Sequence, residues 1–280
     1  MIGSYATPFE KHMLLEKLRH NPICIKIYSY LKWHERLALI KNFGFKYKCP
    51  FCGYHARKML PIGGDFKVIY EKEIVGCGKR FAECVKCKST DKERLVYAYL
   101  KSVNFFVNSN KSVLHMAPEL NLSKQFFKHK FEDYVCGDFF APGYEDVYPS
   151  YVKNINILDI PYDDCHFDVV ICNHVLEHVE DDIKGMSEVF RVLKTGGFAI
   201  LQVPISYKMN KTYENFSITE RHAREEAFGQ RDHVRIYGLD YFDRLKKIGF
   251  KVEVISNLAD VYPKFGLNKK EKIFICHKQT

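Results

Sequence analysis

The chain has 280 residues, 46% hydrophobic and 28% charged, with a formal net charge of +9. This composition excludes an intrinsically disordered chain, and the length allows an α/β core with a small accessory module. No apolar run reaches the roughly 20 residues that span a bilayer. The first residues lack the apolar block of a signal peptide, so we expect a cytoplasmic protein, including one peripheral to the inner membrane. The ten cysteines then indicate reduced thiols or metal ligands.

The positive charge lies in the first third of the chain. Residues 1–101 contain 20 Lys and Arg against 9 Asp and Glu, a net of +11, whereas the rest contain 23 against 25, a net of −2. Such a basic module predicts an anionic partner, for which a phosphorylated carrier, a membrane surface and RNA are all candidates. An ordinary solvated, lysine-rich face is the alternative.

Residues 1–45 form a predicted N-terminal helical segment. Apolar residues at helical spacing indicate two helices, over residues 12–20 and 25–43, separated by Asn21-Pro22. Basic amphipathic helices of this kind pack on their own domain or lie on a membrane. We expect the first of these two arrangements.

Two CxxC pairs follow and predict a zinc ribbon over residues 46–90. Two thiolates from each tight turn complete a closed, structural four-cysteine shell for Zn²⁺. The 31 residues between the pairs contain Gly63-Gly64-Asp65, a predicted hairpin turn. Residues 91–110 are then a connecting helix and linker. The predicted zinc ligands are Cys49, Cys52, Cys84 and Cys87.

From residue 111 to residue 280 strands alternate with helices, which predicts a Rossmann-like, doubly wound parallel sheet. Ligands bind such sheets at the carboxyl ends of the strands. The second strand ends at Asp138, which can accept hydrogen bonds from ribose hydroxyls. The third is predicted over residues 153–160, so that Asp159 and Ile160 bracket an adenine ring. The predicted strands are residues 111–117, 132–138, 153–160, 166–173, 196–204, 250–256 and 272–278.

The stretch DIPYDDCHFDVVICNHVLEHVEDDIKGMSEVFRVLKTGGFAILQVP resembles the centre of class I S-adenosylmethionine-dependent methyltransferases. More narrowly, CPFC, CVKCKSTDKERL, VLHMAPEL and FGQRDHVRIYG resemble a bacterial subgroup of that family. Members of the subgroup carry an N-terminal zinc ribbon and are often encoded near surface-polysaccharide genes. The resemblance implies S-adenosylmethionine as cofactor, and polysaccharide biosynthesis as the setting.

The loop after the first strand departs from the family pattern, because VLHMAPEL has no glycine where the family has acidic-x-Gly-x-Gly. The resemblance places His115 at the usual acid, Ala117 at the first glycine and Glu119 at the second. The Glu119 carboxylate can meet the positive charges of the cofactor. We expect these three residues, with Asn173 after the fourth strand, to bind the cofactor.

The segment after the fourth strand carries the candidate catalytic groups. His174, Glu177 and His178 have the i, i+3, i+4 spacing of one helical face. With His233 they are candidate ligands of a second, divalent metal ion, as in related metal-using methyltransferases. Without a metal, His174 or His233 is the expected general base, the latter paired with Asp232.

An insertion at about residues 205–240 is the predicted substrate-binding segment. Its polar and aromatic side chains suit a sugar or a phosphate, although surface ion pairs are the alternative for each. The predicted substrate contacts are Tyr213, Glu214, Arg221, Arg235 and Tyr237.

Three functions remain open from the sequence. The first is O-methylation of a sugar or another small or carrier-linked precursor of surface glycans. The second is a zinc-ribbon RNA methyltransferase, although the catalytic half has no basic excess for binding phosphates. The third is a non-catalytic binding protein with a degenerate methyltransferase fold.

Overall fold

The computed structural model describes residues 22–140 and 148–279. The predicted helix over residues 12–20 lies outside them. The helices are α1 (Pro22–Asn42), α2 (Lys67–Glu71), α3 (Asp91–Ser102), α4 (Leu120–Lys128), α5 (Asp182–Val192), α6 (Arg221–Phe228), α7 (Tyr241–Ile248) and α8 (Leu258–Val261). Within these two ranges, 3₁₀ helices span Phe105–Val107 and Leu176–His178. The strands are β1 (Phe43–Lys48), β2 (His55–Ala56), β3 (Leu60–Ile62), β4 (Ile74–Val75), β5 (Arg80–Glu83), β6 (Val113–Met116), β7 (Tyr134–Asp138), β8 (Val152–Asn154), β9 (Phe167–Asn173), β10 (Leu193–Gln202), β11 (Ile205–Ser206), β12 (Tyr213–Glu214), β13 (Arg235–Ile236), β14 (Phe250–Ile255) and β15 (Ile273–Lys278).

The helix α1 begins at Pro22, since proline has no N–H to leave unpaired in a first helical turn. It ends at Asn42, whose side-chain amide donates to the Ala38 carbonyl oxygen at 2.8 Å. The chain then enters β1, which pairs with β2. Within the described ranges, no helix has both the length and the apolar character that crossing a bilayer requires.

The central sheet has seven strands in the order β14-β15-β10-β9-β6-β7-β8. Strands β6 to β10 pair in parallel, and β15 runs antiparallel to both β10 and β14. The carboxyl ends of β6, β7 and β9 therefore lie along one edge. This is the Rossmann-like α/β sheet that the sequence predicted.

The third parallel strand is shorter than predicted. It ends at Asn154 instead of continuing to residue 160. The side chain of Asn156 accepts the backbone N–H of Leu158 at 2.9 Å, and the Asp159 N–H bonds to the Asn156 carbonyl oxygen at 3.0 Å. These local bonds make a turn, as Asn side chains commonly do, and interrupt the strand.

Successive residues of the strands alternate between two cores, because neighbouring side chains in a strand point to opposite faces. On one face, Leu114, Val170 and Leu201 pack with helices α5 and α7. On the other, Val113, Val169 and Ile200 pack with α3 and α4. The sheet is thus covered on both sides, as parallel sheets require.

The N-terminal module is tied to the sheet domain through the buried side chain of Arg94 in α3. Its guanidinium donates to the carbonyl oxygens of Ser89, Ala82 and Gly266. Between β3 and β5 the chain forms α2 and β4, so the predicted hairpin turn at residues 63–65 is wrong. The glycines lead into a helix, and β4 pairs with β11 instead.

Candidate functional site

The four predicted zinc ligands lie together at the ends of two tight turns. The Sγ atoms of Cys49 and Cys87 are 3.5 Å apart, and those of Cys52 and Cys84 are 3.7 Å apart. All four Sγ atoms lie within 4.8 Å of one another. Four thiolates at this spacing fit a tetrahedral Zn²⁺ with no position left open for a substrate. The chemistry of the donor set is therefore that of a structural site.

The glycine-free loop after β6 adopts the backbone that a glycine would favour. Ala117 has φ of 48°, in the left-handed region, and its N–H donates to the Gly137 carbonyl oxygen at 2.7 Å. Alanine tolerates this conformation at a cost of about 1–2 kcal/mol. Glu119 then precedes the first turn of α4. The loop keeps the shape of a glycine turn with a carboxylate at its end.

Glu119 lies in a hydrogen-bonded network with His115 and Asn173. Its Oε2 is 2.8 Å from His115 Nε2, and its Oε1 accepts the Asn173 side-chain amide. The other ring nitrogen of the buried His115 is 2.8 Å from the Tyr134 hydroxyl. Burial alone would raise the pKa of the Glu119 carboxyl, but the hydrogen bond and charge of His115 bring it below its ordinary value. With both nitrogens engaged, His115 can act on a cofactor only through Glu119.

The two acids predicted to contact the nucleoside part of the cofactor lie in different settings. Asp138 ends β7, where burial raises the pKa of its carboxyl and its Oδ1 accepts the Phe139 N–H at 2.8 Å. Asp159 is exposed in the turn after β8 rather than at a strand end. Ile160 is buried in a hydrophobic core. Only Asp138 therefore keeps its predicted place at a strand end.

A cluster of polar side chains, all buried except for the partly exposed His178, lies beyond the end of β9, and we call it the polar cluster. Its members are His174, Glu177, His178, His233 and Glu271. His174 Nδ1 is 3.2 Å from Glu177 Oε1, and His174 Nε2 is 3.6 Å from Glu271 Oε1. Three members carry buried atoms without a hydrogen-bond partner: His174 Nε2, Glu177 Oε2 and both carboxylate oxygens of Glu271.

Neighbouring Asn173 adds one more such atom. Its Nδ2 donates to Glu119, which leaves Oδ1 as a buried acceptor without a partner. Native proteins pair nearly all buried polar atoms, so several unpaired ones in one place indicate a missing ligand, ion or water. We call residues 117–119 the cofactor loop after their predicted role, and the unpaired atoms run from Asn173 beside this loop into the polar cluster.

The sequence predicted that His174 lies on one helix with Glu177 and His178, and this prediction is wrong. The 3₁₀ helix begins only at Leu176, and His174 has φ of 58°. The left-handed backbone at His174 turns the chain sharply and still brings its ring to Glu177. A non-glycine residue in this conformation is strained, and such strain is concentrated at functional sites.

Glu177, His178 and His233 offer ligand atoms within 4.8 Å of one another. His178 Nδ1 lies 3.2 Å from the Asp232 carbonyl oxygen, to which it can only donate, so its Nε2 is free to bind. That Nε2 faces Glu177 Oε1 at 4.0 Å, and His233 Nε2 lies 3.9 Å from the same oxygen. The donor set therefore fits a divalent cation, with one carboxylate and two imidazoles.

Burial lowers the pKa of His233 to about 4, so its imidazole is neutral at physiological pH. Burial alone would raise the pKa of the Glu177 carboxyl, but the hydrogen bond and charge of His174, with the charge of His178, lower it well below its ordinary range. Asp232 sits at the rim of the cluster, with its Oδ2 3.5 Å from His178 Nδ1. Asp232 is thus placed beside His178 rather than as the partner of His233.

Two of the predicted substrate contacts are instead buried supports of the polar cluster. Arg235 donates to the carbonyl oxygens of Leu176 and Glu180 at 2.8 and 2.7 Å, and to Glu214 at 3.0 Å. Tyr237 is fully buried, and its hydroxyl donates to Asp182 at 2.8 Å. The arginine fork binds backbone at the 3₁₀ helix, so neither side chain is available to a substrate.

The remaining predicted substrate contacts are Glu214, Tyr213 and Arg221. Glu214 is paired with Arg235 and Arg244, while the other two are exposed. Within the part of the chain that the structure describes, none of the three forms a hydrogen bond or an ion pair with the polar cluster. Their part in substrate binding stays a prediction.

One wall of the polar cluster comes from the N-terminal module, which the sequence did not indicate. Gly76 follows β4 with φ of 92°, and a Cβ there would lie 3.1 Å from His174 Cε1 and 3.2 Å from Glu271 Oε1. The positive φ and these close approaches together favour glycine at this position. Glu271 was likewise missed. In the sequence, the signal for this close approach is the pair of glycines in Gly76-Cys77-Gly78, which lies between the two CxxC pairs.

The central part of the chain matches a known protein family. The family described as "Methyltransferase domain" matches residues 116–201, which are less than a third of the chain. A chloroplastic 2-phytyl-1,4-beta-naphthoquinone methyltransferase of Arabidopsis thaliana is 46% identical over 39 residues, which are 14% of this chain and 15% of that protein. The chain therefore matches only a small part of that relative's length.

Solved methyltransferase structures are similar to about two thirds of this chain at low sequence identity. A SAM-dependent methyltransferase from Archaeoglobus fulgidus is 12% identical, with a TM-score of 0.43, and the match covers 66% of this chain and 93% of that one. An S-adenosylmethionine-dependent methyltransferase from Mesorhizobium loti is 11% identical, with a TM-score of 0.44, over 64% and 96% of the two chains. The strand order of the sheet and the family match, rather than these structures, support the fold described above.

Proposed function

We propose that the chain transfers a methyl group from S-adenosylmethionine to a hydroxyl oxygen of a sugar, free or linked to a carrier. The observation that carries this proposal is the set of unpaired buried atoms beyond β9, next to the cofactor loop. Bound S-adenosylmethionine supplies an electrophilic methyl group. The chain must then hold a hydroxyl in line with that group and take up its proton.

His174 is the candidate general base. If the ionised Glu177 accepts the proton on His174 Nδ1, the unpaired Nε2 carries the lone pair that takes the hydroxyl proton. As the acceptor oxygen bonds to the methyl carbon, the carbon–sulfur bond breaks and S-adenosylhomocysteine leaves. Asn173 Oδ1 is the unpaired acceptor nearest to the cofactor loop, where it suits the cofactor's ammonium group.

A divalent cation is the second candidate occupant of the polar cluster. Glu177, His178 and His233 are the residues that would hold it. When bound, such a cation would stabilise the developing charge on an acceptor oxygen. Chelation distinguishes the general base from the cation. Removing a metal other than the zinc of the four-cysteine site would abolish activity only if a cation occupies the polar cluster.

A sugar is favoured over RNA by the charge of the polar cluster. Glu271 presents two unpaired carboxylate oxygens, which suit a pair of neighbouring hydroxyls. Glu177 adds a second buried carboxylate, and two carboxylates would repel a phosphate backbone. The family resemblance to enzymes encoded near surface-polysaccharide genes supports the same acceptor class.

The test is transfer of a radiolabelled methyl group to a panel of nucleotide sugars and to ribosomal and transfer RNA. We expect labelling of a sugar, and a loss of about 10²–10⁴-fold in His174→Gln, the range of general-base removal. The matched control is His222→Gln, at a histidine side chain that is 81% exposed. Labelling of RNA alone would contradict the proposal, and no binding of S-adenosylmethionine to the folded protein would favour a non-catalytic role.

A further inference from the structure

The last turns of α1 and the strand β1 expose an unusual number of large apolar side chains. Trp33, Leu37 and Ile40 have the i, i+4, i+7 spacing of one helical face, and all three are exposed. Phe43 and Phe45 continue the exposed side chains along β1, with ring centroids 5.4 Å apart. Ile40 is 75% and Phe45 71% exposed. We call these five residues the apolar ridge.

Basic side chains surround the apolar ridge in sequence. Residues 32–58 contain seven Lys and Arg and a single acid, Glu35, a net charge of +6. The β1–β2 pairing keeps the second half of this segment beside the first, since Phe43 pairs with Ala56. All seven basic residues are exposed: Lys32, Arg36, Lys41, Lys46, Lys48, Arg57 and Lys58.

We propose that this face docks on the surface of a membrane rich in anionic phospholipid. Interfacial helices combine exposed Trp, Phe and Leu with Lys and Arg, so that apolar groups enter the acyl boundary while cations meet the headgroups. The apolar ridge has this composition, and its charge is complementary to such a surface. The inference concerns binding alone and holds whatever the acceptor of the methyl group is.

The aliphatic members of the ridge distinguish a membrane from RNA. Single-stranded RNA stacks its bases on aromatic side chains, and an exposed Ile or Leu adds little to that. Acyl chains accept aliphatic and aromatic groups alike. Ile40 is the most exposed member of the ridge. A membrane uses all five members, and RNA would use only Trp33 and the two phenylalanines.

The experiment is co-sedimentation of the full-length, zinc-loaded protein with two kinds of vesicle. One kind is phosphatidylglycerol with phosphatidylethanolamine, and the other is phosphatidylcholine alone. We expect binding to the anionic vesicles, weakened by salt. The double variant Ile40→Ser with Phe45→Ser should bind at least about tenfold more weakly, because two apolar groups no longer enter the bilayer. The matched control is Val107→Ser, at an exposed aliphatic residue on another segment.

A charge variant separates the two parts of the surface. Lys46→Glu with Lys48→Glu should weaken binding to anionic vesicles by about tenfold or more, whereas Lys124→Glu on α4 should not. Zinc content and the unfolding transition show that each variant is folded. Three outcomes overturn the proposal: no binding to anionic vesicles at low salt, binding that Ile40→Ser leaves unchanged, or a dimer in solution that Ile40→Ser converts to monomer.

Discussion

Two polar networks lie at the carboxyl edge of the sheet, and they differ in how completely their hydrogen bonds are made. After β6, each carboxylate oxygen of Glu119 has a partner, and both ring nitrogens of His115 are engaged. After β9, His174, Glu177 and Glu271 all keep buried atoms without one. The first network leaves only Asn173 Oδ1 without a partner, whereas the second leaves four buried atoms unpaired.

The network after β6 and the polar cluster after β9 should therefore respond differently to substitution. Leaving a buried polar group unpaired costs about 1–3 kcal/mol of stability. A change at Glu119 breaks hydrogen bonds that are made and creates such a cost, whereas a change in the polar cluster acts where buried atoms are already unpaired. Stability should therefore depend on the first region and activity on the second.

The largest expected effect is on activity in Glu177→Gln. The amide no longer holds the His174 ring as a carboxylate does, so methyl transfer should fall by about 10²-fold or more. The free energy of unfolding should stay within about 0.5 kcal/mol of wild type or rise. Transfer assays and urea unfolding measure the two quantities, with Glu180→Gln, at an exposed residue, as the control. A loss of stability without a loss of activity would show that Glu177 serves the stability of the fold rather than methyl transfer.

Next in size is the stability of Glu119→Gln. A glutamine cannot accept from both Asn173 and His115, so one buried donor loses its partner and the free energy of unfolding should fall by about 1–3 kcal/mol. Urea unfolding measures this, and Glu132→Gln, an exposed position, is the control. An unchanged midpoint would show that the network after β6 is not a structural unit.

A smaller effect is expected where the N-terminal module approaches the polar cluster. In Gly76→Ala, the new methyl group should displace His174 or Glu271 and lower kcat about tenfold, while the zinc content stays the same. Gly196→Ala is the matched control, because Gly196 has φ of 80° but no atom within 4 Å of an added Cβ. Equal activity in the two variants would show that the module does not shape the acceptor site.

Glu93, near Glu119, also has a buried carboxylate oxygen, Oε2, without a partner. Burial, with the nearby charge of Glu119, raises the pKa of Glu93 to about 7, and the proton is therefore bound more tightly in the folded chain. Stability is lost as pH rises from the unfolded pKa of about 4.5 through 7.

The variant Glu93→Gln keeps an acceptor for the Thr90 N–H and cannot ionise. Its advantage in unfolding free energy over wild type should grow between about pH 5 and pH 8 by an amount on the order of 1–3 kcal/mol. Urea unfolding at several pH values measures that difference. A difference that stays constant with pH would mean that Glu93 is not protonated in the folded chain.

The sequence was sufficient for features that depend on local patterns. The four cysteines and the mainly parallel α/β sheet follow from spacing and periodicity, and Asp138 from its place at a strand end. Features that depend on long-range packing were not accessible. Gly76 meets His174 and Glu271 only because β4 pairs with β11, far along the chain. Local chemistry also overrode pattern where the Asn156 side chain closes a turn within an apparent strand.

The role of Arg235 shows a further limit of sequence reasoning. An arginine in a polar, aromatic segment predicts an anionic or sugar ligand, yet its fork is used on the carbonyl oxygens of Leu176 and Glu180. Backbone acceptors cannot be read from side-chain identities. The segment after β11 therefore supports the polar cluster in the structure, although its sequence resembles a substrate contact.

The most direct test of the account is calorimetric titration of S-adenosylmethionine into wild type, Glu119→Gln and His174→Gln, with methyl transfer measured on the same samples. We expect Glu119→Gln to weaken cofactor binding by about tenfold, since the cofactor loop loses its charge. We expect His174→Gln to bind the cofactor like wild type and yet to fail in methyl transfer. Loss of cofactor binding in His174→Gln, or full methyl transfer by it, would contradict the separate roles of the two regions. In that case the Glu119 network would not bind the cofactor, or the polar cluster would not act on the methyl acceptor.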